Sequence, residues 1–199
     1  MKLISKIPTI EVKRVFVASQ KLKLSRKKGT KYLPQLSHKE FLDKLSRAKE
    51  YANKLSEKQL DKMIHDEWPR RIKAYNNAIW YGATVSPAEL GVWRRAGGLP
   101  PKWTCRSLAE TANYVKIGLA DKHKHIKARS KRAIPRIMEF VDIISKDKYM
   151  YPIVFKSGTG TNGRRWCKNK VRGDIDDGCM RSIALTISGY KKLNIYFGK

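Results

Sequence analysis

Positive charge is distributed unevenly along this chain of 199 residues, and the distribution constrains any fold that the chain adopts. Lys and Arg total 44 against 17 Asp and Glu, which gives a formal net charge of +27. Residues 37–67 hold seven bases and seven acids, whereas residues 1–36 hold ten bases and one acid. A compact body with this surplus repels itself, and a polyanionic partner relieves the repulsion. We therefore expect residues 37–67 to lie away from such a partner.

The apolar content is sufficient for a packed core. Hydrophobic residues make up 41% of the chain and aromatic residues 10%, which is far from a disordered composition. Four of the five Trp lie close together in sequence, at Trp68, Trp80, Trp93 and Trp103, and we expect the core there. The length fits one domain with an appendage, or two small domains.

Three capping boxes indicate where helices begin. Ser37, Ser56 and Ser86 are each followed three residues later by Glu or Gln, so that hydroxyl and side-chain oxygen satisfy free backbone N–H groups. Spacings of three and four residues continue the first of these helices along an apolar face at Phe41, Leu45, Ala48, Ala52 and Leu55. The Ser86 box, with Pro87 in the first turn, predicts a helix that extends through Leu90 and Trp93.

The two ends of the chain have a different pattern. Residues 10–18 are rich in β-branched residues and predict a strand, and residues 19–31 read as a flexible basic arm. After residue 148, strand-like runs alternate with turn-like ones at 157–163 and 173–178. The strand-like runs are 149–155, 164–171, 182–187 and 191–197. The sequence thus predicts an α+β protein with a basic N-terminal strand or arm (1–36), a central helical domain (37–148) and a small C-terminal antiparallel β domain (149–199).

Nucleic acid is the polyanion that this charge pattern favours, because each phosphate neutralised releases condensed counterions. We expect basic runs to hold phosphates while an Arg-rich β-hairpin reads base edges in the major groove of duplex DNA. The leading hypothesis is a non-enzymatic, site-specific transcription regulator that represses by occupying its site, without a cofactor. The predicted contacts are Arg164, Arg165, Lys168, Lys170, Arg172, Arg181, Lys122, Lys124, Lys127, Arg129, Lys131, Arg132, Lys21, Lys23, Arg26, Lys27 and Lys28.

Other readings of the same residues stay open. Arg94, Arg95, Lys102 and Arg106 lie around a double-proline corner that could be a helix-turn-helix motif or a rigid corner. The carboxylates of Asp174, Asp176 and Asp177 could hold Mg²⁺ for DNA cleavage, although the composition of 173–178 is typical of a turn. The third reading is a structural RNA-binding protein of ribosomal type.

The sequence also bears on partners and location. The apolar stripe within residues 37–67 either packs on the core or forms a homodimer contact that would match two-fold symmetric DNA. Three Cys at wide spacing do not suggest a disulfide framework, so we expect an intracellular protein of the cytoplasm, nucleoid or nucleus. No apolar run approaches the roughly 20 residues of a membrane span.

Overall fold

A six-stranded mixed sheet organises the molecule. The structure, a computed structural model, describes residues 1–23, 37–94, 96–120, 150–160 and 170–199, together with 134, 137, 138 and 140–142. The strands lie in the order β1-β2-β6-β4-β5-β3. Pairs β1–β2, β2–β6 and β4–β5 are antiparallel, while β4–β6 and β3–β5 are parallel. The strands are β1 (Lys2–Lys6), β2 (Trp80–Val85), β3 (Leu90–Gly91), β4 (Ile153–Lys156), β5 (Gly173–Asp177) and β6 (Leu193–Gly198).

Helices cover both faces of this sheet. Side chains alternate between the two faces of a strand, and on β4 Val154 packs into one hydrophobic cluster while its neighbours Ile153 and Phe155 pack into another. Helices α1 to α4 contribute to the second cluster, and α6 and α7 to the first; we name the faces after these helices. The helices are α1 (Thr9–Lys23), α2 (His38–Asn53), α3 (Glu57–Glu67), α4 (Pro69–Asn77), α5 (Pro101–Thr104), α6 (Leu108–Ala120) and α7 (Cys179–Ile187).

The predicted architecture, a helical domain followed by a small C-terminal sheet, is wrong. The sheet takes β1 from the N-terminal end, β2 and β3 from the middle and three strands from the C-terminal end, with helices interleaved among them. The error arises because strand pairing joins residues far apart in sequence, which local composition cannot report. Lys2, for example, pairs with Thr84, and Trp80 pairs with Gly198.

Four individual segments were also mispredicted. Residues 10–18, expected as a strand, lie within helix α1, and α1 also includes residues 19–23 of the expected flexible arm. Residues 182–187, expected as a strand, belong to helix α7, and residues 173–177 of the expected turn form the buried strand β5. Burial explains these errors, because a helix or strand buried on most sides loses the alternation of polar and apolar residues that distinguishes the two.

The predictions from capping boxes were more accurate. Ser37 and Ser56 each accept a backbone N–H three residues on and begin helices α2 and α3, which confirms both predictions. The Ser86 box is also formed, but it caps only the short 3-10 turn Pro87–Glu89, so the helix predicted through Trp93 is wrong. The chain leaves the helical conformation there because Leu90 pairs with Gly173, and the Arg172 N–H donates to the Glu89 carbonyl (2.8 Å).

Candidate nucleic-acid interface

A few of the predicted contact residues fall within the described part of the chain. Lys21, Lys170 and Arg172 are exposed, Lys23 is the last residue of α1, and Arg181 is buried. The remaining predicted contacts lie outside the described residues. They are Arg164, Arg165, Lys168, Lys122, Lys124, Lys127, Arg129, Lys131, Arg132, Arg26, Lys27 and Lys28.

Arg172 is an exposed cation on a fixed backbone. Its Nε contacts Glu89 Oε1 at 2.7 Å, while 66% of its side chain stays exposed. Its carbonyl accepts the Ser157 N–H (3.0 Å) and its own N–H is bonded to Glu89, so the backbone is held on both sides. Lys170 is exposed two residues before it. Arg172 therefore stands at a defined point directly before β5, and Lys170 precedes it by two residues in the chain.

Lys21 is placed by an aromatic ring. Its Nζ lies 4.3 Å from the centre of the Tyr51 ring, where helix α1 meets helix α2. An ammonium over the face of a tyrosine is attracted by the ring's negative face. The contact leaves Lys21 exposed, so the charge is held near a fixed position and remains available to an anion.

Arg181 is not a surface contact, and its prediction as one is wrong. Its residue is 7% exposed; its Nη2 donates to Asp177 Oδ2 (2.9 Å), and its Nη1 donates to Ser19 Oγ (2.9 Å). The cause is the change from strand to helix after Gly178. Arg181 lies in the first turn of α7, four residues after Asp177. Its guanidinium therefore contacts Asp177, the last residue of β5.

The predicted acidic cluster lies on β5 and is buried. Asp174 pairs with Phe155 and Asp177 with Ile153, two residues that pack on the α1–α4 face. An irregularity in the β4–β5 register leaves Asp176 as an extra residue between these pairs. Such a bulge redirects a side chain locally, and the carboxylate of Asp176 also reaches helix α4 on this face. The composition typical of a turn thus belongs to a strand.

Asp176 is the centre of a buried ion pair. It accepts hydrogen bonds from Arg71 Nε (3.0 Å), Arg71 Nη2 (3.4 Å) and the Tyr75 hydroxyl (2.9 Å). The guanidinium of Arg71 also lies 4.6 Å from the centre of the Phe16 ring. Burial raises the pKa of Tyr75 well above its usual value. Burial alone would lower the pKa of Arg71, but Asp176, Tyr75 and Asp177 together outweigh burial and raise that pKa. Arg71 therefore stays charged and Tyr75 neutral.

Each of the three carboxylates accepts hydrogen bonds from a different side chain, and the three do not form a common ligand site. Asp174 Oδ2 accepts from Ser157 Oγ (3.1 Å) and the Gly158 N–H (3.4 Å), whereas Asp176 serves Arg71 and Asp177 serves Arg181. Within the part of the chain that the structure describes, no group of three or more His, Cys, Asp or Glu side chains could hold a metal ion. The arrangement joins strand β5 to helices α4, α7 and the 157–158 turn.

The double-proline corner is not built as a helix-turn-helix. Helix α5 has only four residues, a single turn, before the chain enters α6. Trp103 stacks on Tyr114, with ring centres 6.1 Å apart and planes at 19°, and the Arg106 guanidinium lies 4.9 Å from the Tyr114 ring centre. The aromatic residues thus fix the corner between α5 and α6, which matches the rigid-corner alternative.

The net charge of the molecule lies outside its described core. The buried charged residues comprise three bases, Lys13, Arg71 and Arg181, and three acids, Asp174, Asp176 and Asp177, which cancel. Lys13 Nζ in turn contacts Glu57 (2.7 Å) and Asp61 (2.6 Å), two acids nearer the surface. The surplus of +27 is therefore not consumed by internal pairing in this part of the chain.

One basic surface was missed by the sequence analysis. Across the β1–β2–β6 part of the sheet, Lys2 lies opposite Thr84, and Thr84 opposite Asn194, so their side chains form one row on the α1–α4 face. We call this end of the sheet, with Ser5, Tyr151 and Tyr196 of the adjoining positions, the sheet-end surface. Lys191 and Lys192, both exposed, directly precede β6 at the same end. In the sequence, the available signal was the alternation of apolar Leu193 and Ile195 with polar Asn194.

Comparison with known proteins found no similarity: no protein-family model, curated protein or solved structure matched the chain. Among the described residues, no helix has both the length and the apolar character required to cross a membrane. The class that the fold and charge define is a mixed α/β protein whose described core is neutral and whose described residues carry their positive surplus outside that core.

Proposed function

We propose that this protein binds nucleic acid without catalysing a reaction on it, and that its main target is the phosphate backbone of duplex DNA. The observation that carries the proposal is the placement of charge. The described core is neutral although the chain carries +27, so the positive surplus of the described residues lies outside that core. A protein that neutralises phosphates releases their counterions, and this release drives binding irrespective of sequence.

Fixed cations support the proposal. Arg172 and Lys21 are exposed while a carboxylate and a tyrosine ring, respectively, hold them in place. Because less side-chain freedom is lost when a pre-positioned cation meets a phosphate, such residues favour binding. The carboxylates of Asp174, Asp176 and Asp177 already accept hydrogen bonds from protein side chains. This argues against the alternative of a Mg²⁺-dependent nuclease, which would need them as metal ligands.

Site-specific repression is a finer hypothesis within this proposal. It requires side chains that read base edges, which the sequence predicts in the Arg164–Arg172 segment. Most of that segment lies outside the described residues, whereas Lys170 and Arg172 at its end are exposed and so are compatible with groove contact. A structural RNA-binding role uses the same phosphate chemistry and is the alternative outcome of the experiment below.

The experiment is a salt-titrated anisotropy series on duplex DNA and duplex RNA with the full-length protein. We expect binding to duplex DNA with a steep salt slope, since each phosphate contact contributes about 0.9 to that slope on B-DNA. The double variant Lys21→Ala with Lys170→Ala should lower the slope by roughly two contacts. The matched control is Lys58→Ala with Lys62→Ala, which removes two exposed charges from helix α3, where acids outnumber bases.

The outcomes separate the hypotheses. If the salt slope falls in the Lys21/Lys170 double variant and not in the Lys58/Lys62 control, contact at Lys21 and Lys170 is supported. Equal slopes for the two double variants contradict that contact. Tighter binding to duplex RNA than to duplex DNA overturns the DNA assignment in favour of RNA. Absence of binding to either duplex at low salt overturns the proposed function itself.

A further inference from the structure

We propose that the sheet-end surface binds an unpaired nucleic-acid strand, with Tyr151 and Tyr196 stacking on its bases and Lys2 holding its phosphate backbone. This inference rests on the proposed function and assigns to it a second substrate class, a single strand or an opened duplex. Its residues differ from Lys21, Lys170 and Arg172, although Glu89 contacts both Arg172 (2.7 Å) and the ammonium of Met1 (2.7 Å), the residue before Lys2.

The surface is a sheet face that helices leave partly open. On β2 and β6, the side chains of the α6–α7 face, Ala83, Val85, Leu193 and Ile195, are buried. The opposite side chains are accessible: Lys2, Ser5 and Asn194 are exposed, and Thr84 is half-buried. Neighbouring strands lie about 4.8 Å apart, so the row from Lys2 to Asn194 spans roughly 10 Å.

The chemistry of this row suits a nucleic-acid backbone. The Thr84 hydroxyl donates to Asn194 Oδ1 (3.1 Å), a bond that uses the oxygen of the Asn194 amide and not its N–H groups. Lys2 adds an exposed positive charge on one side of the row, and Lys191 and Lys192 add two more directly before β6. Hydroxyl, amide and ammonium groups are the donors that proteins commonly direct at phosphate and sugar oxygens.

Two tyrosines stand one step further along the same face. Tyr196 follows Asn194 by two residues on β6, and since side chains of a strand alternate, both lie on the α1–α4 face. The ring centres of Tyr151 and Tyr196 are 5.7 Å apart with planes at 48°. The Tyr196 N–H donates to the Pro152 carbonyl (2.9 Å), which fixes the segment carrying Tyr151 against β6. Tyr151 remains 39% exposed.

This combination favours an unpaired strand over a duplex. In a duplex the faces of the bases are covered by their neighbours, whereas a single strand can splay its bases onto aromatic rings. Stacking on aromatic side chains tolerates any base and is combined with a positively charged track for the backbone. Burial raises the pKa of Tyr196, so its phenol stays neutral and does not repel a phosphate.

The test compares two single-stranded probes of about 16 nucleotides, an oligothymidylate and an abasic strand of equal length. We expect wild-type protein to bind the oligothymidylate roughly tenfold more tightly, because only that strand has bases to stack. Tyr151→Leu should remove most of this preference while affinity for the abasic strand and for duplex DNA changes little. Ile117→Ala is the control, since Ile117 on α6 is an exposed apolar side chain (44%) outside the surface.

Three results would overturn the inference while leaving the proposed function intact. They are duplex binding with no single-strand binding, equal affinity for the two strands, and a preference that Tyr151→Leu preserves. Lys2→Ala provides a second variant that does not alter packing, and it should weaken binding of both single strands. If no nucleic acid of any kind is bound, the proposed function fails and this inference fails with it.

Discussion

The buried pair of Arg71 and Asp176 allows a quantitative prediction for Asp176→Asn. The substitution keeps the shape of the side chain and removes its charge. The Asp176 side chain is 0% exposed and that of Arg71 is 8% exposed, so solvent can compensate neither. Removing one partner of a buried pair costs about 3–5 kcal/mol, because the other charge is left without a counterion.

The structure sets the expected value within that range. Asp177 also acts on Arg71 electrostatically, which moderates the loss. An amide oxygen can still accept one bond from Arg71 or Tyr75, so we expect about 3 kcal/mol, near the lower end of the range. For a protein of this size, 1 kcal/mol corresponds to roughly 2–4 °C in Tm, so the Tm should fall by roughly 6–12 °C.

Urea unfolding followed by circular dichroism, together with thermal unfolding, measures both quantities. Adding Arg71→Met to Asp176→Asn should recover part of the lost stability, because an uncharged, apolar side chain then occupies the site. Asp66→Asn is the control: its side chain is 65% exposed, and its removal should change stability by less than about 0.5 kcal/mol.

The reasoning is refuted if Asp176→Asn lowers the free energy of unfolding by less than about 1 kcal/mol, or if Arg71→Met adds a further full loss in its presence. Either result would mean that Arg71 finds another counterion and that the pair does not join α4 to β5. Retention of the fold with loss of DNA cleavage would instead point to the nuclease alternative.

Two further predictions concern ion pairs nearer the surface. Lys13→Met removes the ammonium between Glu57 and Asp61 that joins α1 to α3, and since both acids can be resolvated, we expect urea unfolding to show a loss of about 1.5–3 kcal/mol. Hydrogen bonds from the Met1 ammonium lower the pKa of Glu89 below 4.5, and Arg172 adds to this. The resulting stabilisation is complete above pH 4.5 and is lost as the pH falls through the lower folded pKa. Stability measured between pH 6 and pH 3 should therefore fall less steeply in Glu89→Gln, and an unchanged slope would contradict the assignment.

Capping signals in the sequence predicted where two helices begin. The capping boxes of Ser37 and Ser56 involve residues three apart, so the printed sequence contains every group that forms them. Ser86 marks the limit of such signals. Its box forms, but the helix stops after Glu89 because β3 pairs with β5, and the partner residues lie about 80 positions away.

The candidate sites depended on information that the sequence did not display. Asp176 reads as a turn residue until Arg71, 105 positions earlier, is found beside it. Arg181 reads as a surface base until α7 places it against Asp177 and Ser19. The sheet-end surface exists only because Lys2, Thr84 and Asn194 come together from three distant segments. Charge could be counted from the sequence, but which charges cancel depended on the topology.

Because the buried charges cancel one another, fold stability and nucleic-acid binding should respond differently to salt. The ion pairs that join β5 to α4 and α7 are buried, so dissolved salt screens them little. Among the described residues, the unbalanced charges lie outside the core, and salt screens both their mutual repulsion and their attraction for phosphate. Added salt should therefore weaken nucleic-acid binding steeply without weakening the fold, and it should relieve the self-repulsion of a chain that carries +27. A bound polyanion relieves the same repulsion by supplying the opposite charge, so occupancy of the basic exterior and stability of the fold should rise together at low ionic strength.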